Sequence, residues 1–211
     1  MPDNDQLKEW AGKLGNEYIT RNNFASWKLP YGTKAFKQIL NGIDIGSVLE
    51  IGSNIGLNLH FINEIAQGKI KNYAIEPNKE AFDILSSNSI KLNLEKAWNC
   101  DASEIPLNDS SIDLVFTAGV LIHIAPENLD KVTDEIVRVA KKYVLCIEYF
   151  SHKPTSIKYH NQENLLFKRD FGGYYLDRFP ELKCIRYGFL WQREYKIFDD
   201  LNWWLFIKKE H

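Results

Sequence analysis

Cysteine is scarce in this chain: three in 211 residues, at positions 100, 146 and 184, an odd number with no Cys-x-x-Cys pair. That scarcity excludes a disulfide framework and the usual thiolate metal spacings, and it points to reduced thiols, at least two of them in strands. The five histidines are scattered without a ligand-spaced pair, so no metal is expected. No apolar run approaches the roughly 20 residues of a membrane span. The opening Met1-Pro-Asp-Asn-Asp-Gln lacks the charged and apolar regions of a signal peptide, and a cytoplasmic protein that touches no membrane is expected. A basic block is missing too. With 26 Lys and Arg against 28 Asp and Glu the net charge is −2, which leaves no stripe to track phosphates and makes nucleic acid an unexpected partner. Proline, glycine and serine nowhere gather into a linker and no segment repeats, so one domain with a full core is expected.

What the chain does contain is an alternation of apolar runs and helical patterns, organised around Val48-Leu-Glu-Ile-Gly-Ser-Asn-Ile-Gly56. Val48, Leu49 and Ile51 read as a buried strand, Gly52 and Gly56 as a tight turn holding Ser53 and Asn54, and Ile55, Leu59 and Ile62 as a helix. Glycines at such a turn let backbone N–H groups approach a ligand with no Cβ in the way. Two common ligands are excluded by spacing. A dinucleotide site needs further glycines where Asn54 and Leu57 stand, and no Lys-Ser or Lys-Thr follows to complete a phosphate loop. What remains, Glu50-x-Gly52-x-x-x-Gly56, resembles the first motif of class I S-adenosylmethionine-dependent methyltransferases.

Three later stretches extend the resemblance. Ile70-Lys-Asn-Tyr-Ala-Ile75 is a second buried strand closed by Glu76 and Pro77. A carboxylate there has two acceptor oxygens, placed to take both hydroxyls of a ribose. Ala97-Trp-Asn-Cys-Asp101-Ala102 reads as a short third strand, its Asp101 available to an adenine amino group. Ile112-Asp-Leu-Val-Phe-Thr-Ala118 is a fourth strand, running out through Gly119-Val-Leu-Ile-His123. The order of the four motifs implies an α/β, Rossmann-like class I methyltransferase fold: a seven-stranded, mostly parallel sheet, its last strand antiparallel, with helices on both faces. It implies S-adenosyl-L-methionine as cofactor, held by Glu50, Gly52, Ser53, Asn54, Gly56, Glu76, Pro77, Asp101, Ala102, Ala118 and Gly119. Helices are expected from Tyr31 to Leu40, around Ala81 to Leu85, and from Pro126 to Ala140 with Lys141 and Lys142 at the negative end. Further strands are expected from Tyr143 to Tyr149, Leu182 to Trp191 and Leu201 to Ile207.

Residues 1–42 are expected to form a helical lid, 43–150 the cofactor core, and 151–211 an acceptor cap with the final strand pair. In the lid, Trp10 and Tyr18 are cofactor contacts, Tyr18 beside the sulfonium through cation–π attraction and Arg21 forked on the methionine carboxylate. A packing arm across the domain is the competing reading of that segment. A hydroxyl or amine acceptor must also lose a proton to a positioned base. His123 is the first candidate, because imidazole titrates near neutrality, and Glu148 at the end of the fifth strand is the second. Tyr159, His160, Asn161, Glu163, Arg169 and Asp170 form a hydrogen-bonding stretch expected to bind the acceptor, with Arg169 suited to an anionic group.

The ends of the chain carry a narrower likeness. Trp10-Ala-Gly-Lys-Leu-Gly-Asn-Glu-Tyr18-Ile-Thr-Arg21-Asn22, the stretch from Tyr159-His160-Asn161 to Arg169-Asp170, and Tyr187-Gly-Phe-Leu-Trp191 with Asp199-Asp200 are similar to the pseudaminic acid biosynthesis-associated methylases. That resemblance implies a small-molecule acceptor, a sugar, amino sugar or nucleotide sugar. A monomer or homodimer is expected. The competing functions are an RNA or protein methyltransferase and a cofactor-binding scaffold without catalysis.

Overall fold

The structure, a computed structural model, describes residues 5–20, 22–159 and 162–209. The expectations for Arg21, His160 and Asn161 therefore lie outside the described residues, as do those for the side chains of Tyr159 and Glu163.

Two short helices open the chain, α1 (Asp5–Ala11) and α2 (Lys13–Ile19), followed by a 3₁₀ turn at Ser26–Lys28 and α3 (Leu29–Ile39). Strands and helices then alternate: β1 (Ser47–Ile51), α4 (Leu57–Ala66), β2 (Lys71–Ile75), α5 (Lys79–Ser87), α6 (Ser89–Leu92), β3 (Leu94–Trp98), β4 (Ile112–Ala118), α7 (Pro126–Val139) and β5 (Ala140–Glu148). The last third holds a hairpin, β6 (Thr155–Tyr159) and β7 (Gln162–Lys168), then α8 (Phe171–Arg178), β8 (Leu182–Leu190), α9 (Gln192–Tyr195) and β9 (Leu201–Lys208).

One seven-stranded sheet runs in the order β3-β2-β1-β4-β5-β9-β8. The pairs from β3 to β5 are parallel, and β9 is antiparallel to both its neighbours. Both faces are covered, which is why the central strands read as unbroken apolar runs. Successive residues of β4 go to opposite sides: Leu114 and Phe116 join Phe36, Phe61 and Leu205 under α3 and α4, while Val115 joins Ile136, Val144 and Tyr175 under α7 and α8. Chain order reverses between β1 and β4, the crevice where open α/β sheets take ligands.

Three elements depart from expectation. β3 lies earlier than predicted and ends at Trp98, so Asp101 and Ala102 sit in the turn beyond it. As a half-exposed edge strand it lacks a buried strand's apolar signal. Lys141 and Lys142 belong to β5, because α7 passes into the strand without a loop. Helix α8 was unforeseen; it carries Gly172-Gly173, and a Cβ on Gly172 would stand 2.3 Å from the Trp204 indole nitrogen. The glycine is there for close helix–sheet packing, and buried Phe171 and Tyr175 hold the helix down.

Candidate active site

A cavity of about 420 Å³ opens at the carboxyl ends of β1, β2 and β4. Its floor comes from the turns after those strands, its side from the first turns of α7, and its roof from α1 and α2. The sequence-predicted residues Trp10, Tyr18, Gly52, Asn54, Glu76, Pro77, Asp101, Ala102, Ala118, Gly119 and His123 all line it. Residues more than 100 positions apart are thus brought to one crevice.

The turn after β1 is built for close approach. Gly52 and Ser53 donate backbone N–H bonds to the Ile75 carbonyl, at 2.8 and 3.0 Å, which clips the turn to the end of β2. Gly52 has φ +67, and a Cβ there would stand 2.7 Å from Val120 Cγ2. Asn54 follows in the left-handed region, φ 48, where asparagine is among the tolerated residues. That conformation aims the Asn54 N–H at Glu76 Oε2, 2.6 Å away.

Glu76 is only 6% exposed, and its other oxygen accepts from the Asn78 N–H at 2.8 Å. Each carboxylate oxygen thus holds one backbone donor and keeps acceptor capacity for one more, the complement of a vicinal diol. Burial pushes the Glu76 carboxyl up to about 7, against the pull of those two backbone N–H groups. Asp101 lines the adjoining wall and accepts from the Ser103 N–H at 2.7 Å. Above the loop after β4, the Trp10 indole lies tilted against the His123 ring, centroids 4.0 Å apart, with Tyr18 edge-on to Trp10 at 5.8 Å.

Six predicted contacts have other neighbours. Glu50 is buried away from the cavity, accepting from Asn58 Nδ2 at 2.8 Å, and burial holds its carboxyl far above the usual range. The Ser53 hydroxyl ties the turn to the Glu50 carbonyl at 2.9 Å. Gly56 answers to packing: its Cβ would stand 2.7 Å from both Leu85 and Leu92. Glu148 is fully buried, is not among the residues lining the cavity, and accepts from the N–H groups of Val120 and Leu121, both at 2.9 Å, so it locks the loop that carries His123. Its carboxyl is pushed up to about 7 by burial, opposed by those same bonds. Asp170 caps α8 through the Gly173 N–H at 2.8 Å. Arg169 lies over the Tyr174 ring at 5.0 Å and lines a separate cavity of about 130 Å³ with Leu121, Pro126 and Lys168; Ile124 lines both cavities.

Several residues escaped the sequence reading. Asn128, Lys131 and Val132 line the cavity from α7, and their spacing of three and four was the available signal. Tyr149, just past β5, donates to Asp199 beside the start of β9, with the Lys168 ammonium 4.6 Å above its ring.

Comparison with known proteins gives this crevice a context. Residues 49–147 match the methyltransferase domain family. This is an S-adenosylmethionine-dependent methyltransferase. Solved structures share its Rossmann-like class I fold at low identity. A SAM-dependent methyltransferase from Aquifex aeolicus superposes with TM-score 0.65 at 18% identity, over 99% of this chain and 100% of that one. Magnesium protoporphyrin IX methyltransferase from Synechocystis, solved with bound SAM, superposes with TM-score 0.69 at 11% identity, covering 99% and 100%. The Burkholderia thailandensis 1,6-didemethyltoxoflavin-N1-methyltransferase, bound to its substrate and S-adenosylhomocysteine, gives TM-score 0.68 at 12% identity, covering 98% and 86%. Those acceptors differ from one another, so the shared fold leaves the methyltransferase's own acceptor open. No curated protein matches the sequence. Among the described residues no helix of the methyltransferase is long and apolar enough to cross a membrane.

Proposed function

We propose that the methyltransferase modifies a small polar metabolite, a sugar, amino-sugar or nucleotide-sugar derivative of the nonulosonic acid type, on oxygen or nitrogen. The observation that supports a small acceptor is a concave crevice of about 420 Å³ partly covered by two helices, in a range of roughly 300–1,000 Å³ that suits small molecules. The likeness at the chain ends supports the sugar class. On this reading the protein works in the cytoplasm as a monomer or homodimer, without nucleic acid or membrane, residues 1–42 roofing a core of 43–150 and 151–211 capping the acceptor.

S-adenosylmethionine supplies a methyl group on a sulfonium, an electrophile open to in-line attack. The chain's own part is to hold, align and keep out water. Glu76 takes the two ribose hydroxyls on its remaining acceptor positions, and Asp101 accepts from the base. The left-handed turn at Gly52 lets backbone approach where a Cβ would collide. His123 receives the acceptor's proton on its imidazole, and Arg169, across the Ile124 wall, meets an anionic substituent.

Incubation with methyl-labelled cofactor and a panel of nucleotide sugars, free amino sugars, tRNA and peptides tests the acceptor class. Label is expected on a sugar derivative. Label entering only tRNA or peptide overturns the metabolite reading.

A further inference from the structure

We propose that Asn78 is a positioning residue that ties the α1–α2 roof to the Glu76 carboxylate, so that closing the roof and holding the cofactor are one event. The proposal rests on the reading that the cofactor occupies the Glu76 crevice.

Asn78 is 1% exposed and commits every polar group it has. Its backbone N–H donates to Glu76 Oε1 at 2.8 Å. Its Oδ1 accepts from the Ala81 N–H at 2.9 Å and caps α5. Its Nδ2 faces the roof, within 3.4 Å of the Trp10 carbonyl, 3.1 Å of Ala11, 3.2 Å of Gly12 and 2.7 Å of Asn16 Oδ1. An amide carries two N–H hydrogens, so four acceptors converge on two donors. The Trp10 and Ala11 carbonyls close α1, where a helix leaves such groups without intrahelical partners, while the Gly12 carbonyl also accepts the Asn16 N–H at the start of α2. Gly15 makes the approach possible: a Cβ there would stand 2.6 Å from Asn78 Nδ2. One side chain therefore ends α1, seats α2 and begins α5, while its own peptide group orients the carboxylate. An arm that swings away withdraws the acceptors that fix Asn78, and with them the register of its N–H on Glu76.

Asn78→Ser separates these tasks. A serine hydroxyl still caps the Ala81 N–H and the backbone N–H to Glu76 is retained, but the side chain is too short to reach the roof. Two measurements on the full chain read the result: tryptic cleavage within residues 5–19 without ligand, and calorimetric affinity for S-adenosylmethionine. For Asn78→Ser, cleavage is expected to accelerate and affinity to fall, each on the order of tenfold, the scale of one or two neutral hydrogen bonds. Asn16→Ala, which leaves α5 and Glu76 alone, should move both readouts the same way, and the double variant should add little beyond Asn78→Ser. Wild-type cleavage and affinity in Asn78→Ser would overturn the proposal. So would weaker binding in Asn78→Ser with Asn16→Ala silent, since the effect would then come through α5. A wild type that binds no S-adenosylmethionine overturns the cofactor reading, and this proposal with it.

Discussion

Glu76, His123 and Glu148 are three titratable groups within one crevice and its supporting loop, and the structure gives each a different setting. Glu76 faces the cavity with acceptor capacity in reserve; Glu148 spends its carboxylate on the backbone of the loop that presents His123. If His123 is the base, an aromatic ring without a basic nitrogen should separate chemistry from packing. His123→Phe keeps an aromatic ring against Trp10, and its turnover is expected to fall by roughly 10²–10⁴-fold while cofactor affinity holds. Steady-state kinetics alongside calorimetry checks this, and unchanged turnover would make the histidine a packing residue for the roof. Glu76 and His123 were legible because an acid at a strand end and a histidine in the following loop are local patterns. The isolation of Glu148 was not, because its partners lie more than 25 positions earlier and the sequence shows only the acid.

Among the elements, the β1–α4 turn shows two glycines serving two different needs. Gly52 is held at φ +67 with Val120 against the place of its missing Cβ, whereas Gly56 yields space to Leu85 and Leu92. Gly52→Ala should combine left-handed strain of about 1–3 kcal/mol with a collision, lowering the melting temperature and cofactor affinity together. Adding Val120→Ala removes the collision and leaves the strain, so the pair should recover part of the loss in both. No recovery would mean that the backbone conformation alone sets the requirement. The glycine motif was readable as a turn because its residue types are so restricted. Which glycine faces the cavity and which faces helices could not be read, since both look alike until α5 and α6 are packed.

For the whole molecule, ionisation couples stability to ligand. Glu76 and Glu148 both have carboxyl groups raised to about 7 by burial. Their contribution to stability is fully present below the unfolded carboxyl range of about 4.3 and is lost as pH rises through about 7. Glu135 and Asp113 work in the opposite sense. The Arg138 guanidinium beside Glu135 lowers its carboxyl, and the Gly46 N–H with Lys142 lowers Asp113 against the cost of burial, so their stabilisation is lost as pH falls through their lowered values. The ligand-free protein should therefore melt at its highest temperature on the mildly acid side, progressively lower from about pH 4.3 to 7, and level above that. Glu148→Gln should flatten that slope. Cofactor affinity should rise over the same interval, because a deprotonated Glu76 is the better acceptor for two hydroxyls. Differential scanning fluorimetry across pH, with and without cofactor, reads both trends; affinity that declines with pH would contradict the Glu76 assignment.

The parallel core and its ligand edge were legible from residues alone, because buried strands and the turns between them are written in local apolar period and in glycine, proline and acid at strand ends. Helix α8 and the position of β3 were not, because α8 packs Gly172 against Trp204 further along the chain and β3 is an edge strand with little buried apolar surface; the β6–β7 hairpin, local in sequence, lies in a stretch whose polar residues mask its strands. Residue types and order were enough to specify a sulfonium-dependent methyl-transfer core. Tertiary packing alone decided that Asn78 bonds the end of α1 and that Glu148 supports a loop, since hydrogen bonds across 28 to 68 positions exist only once the chain has closed on itself.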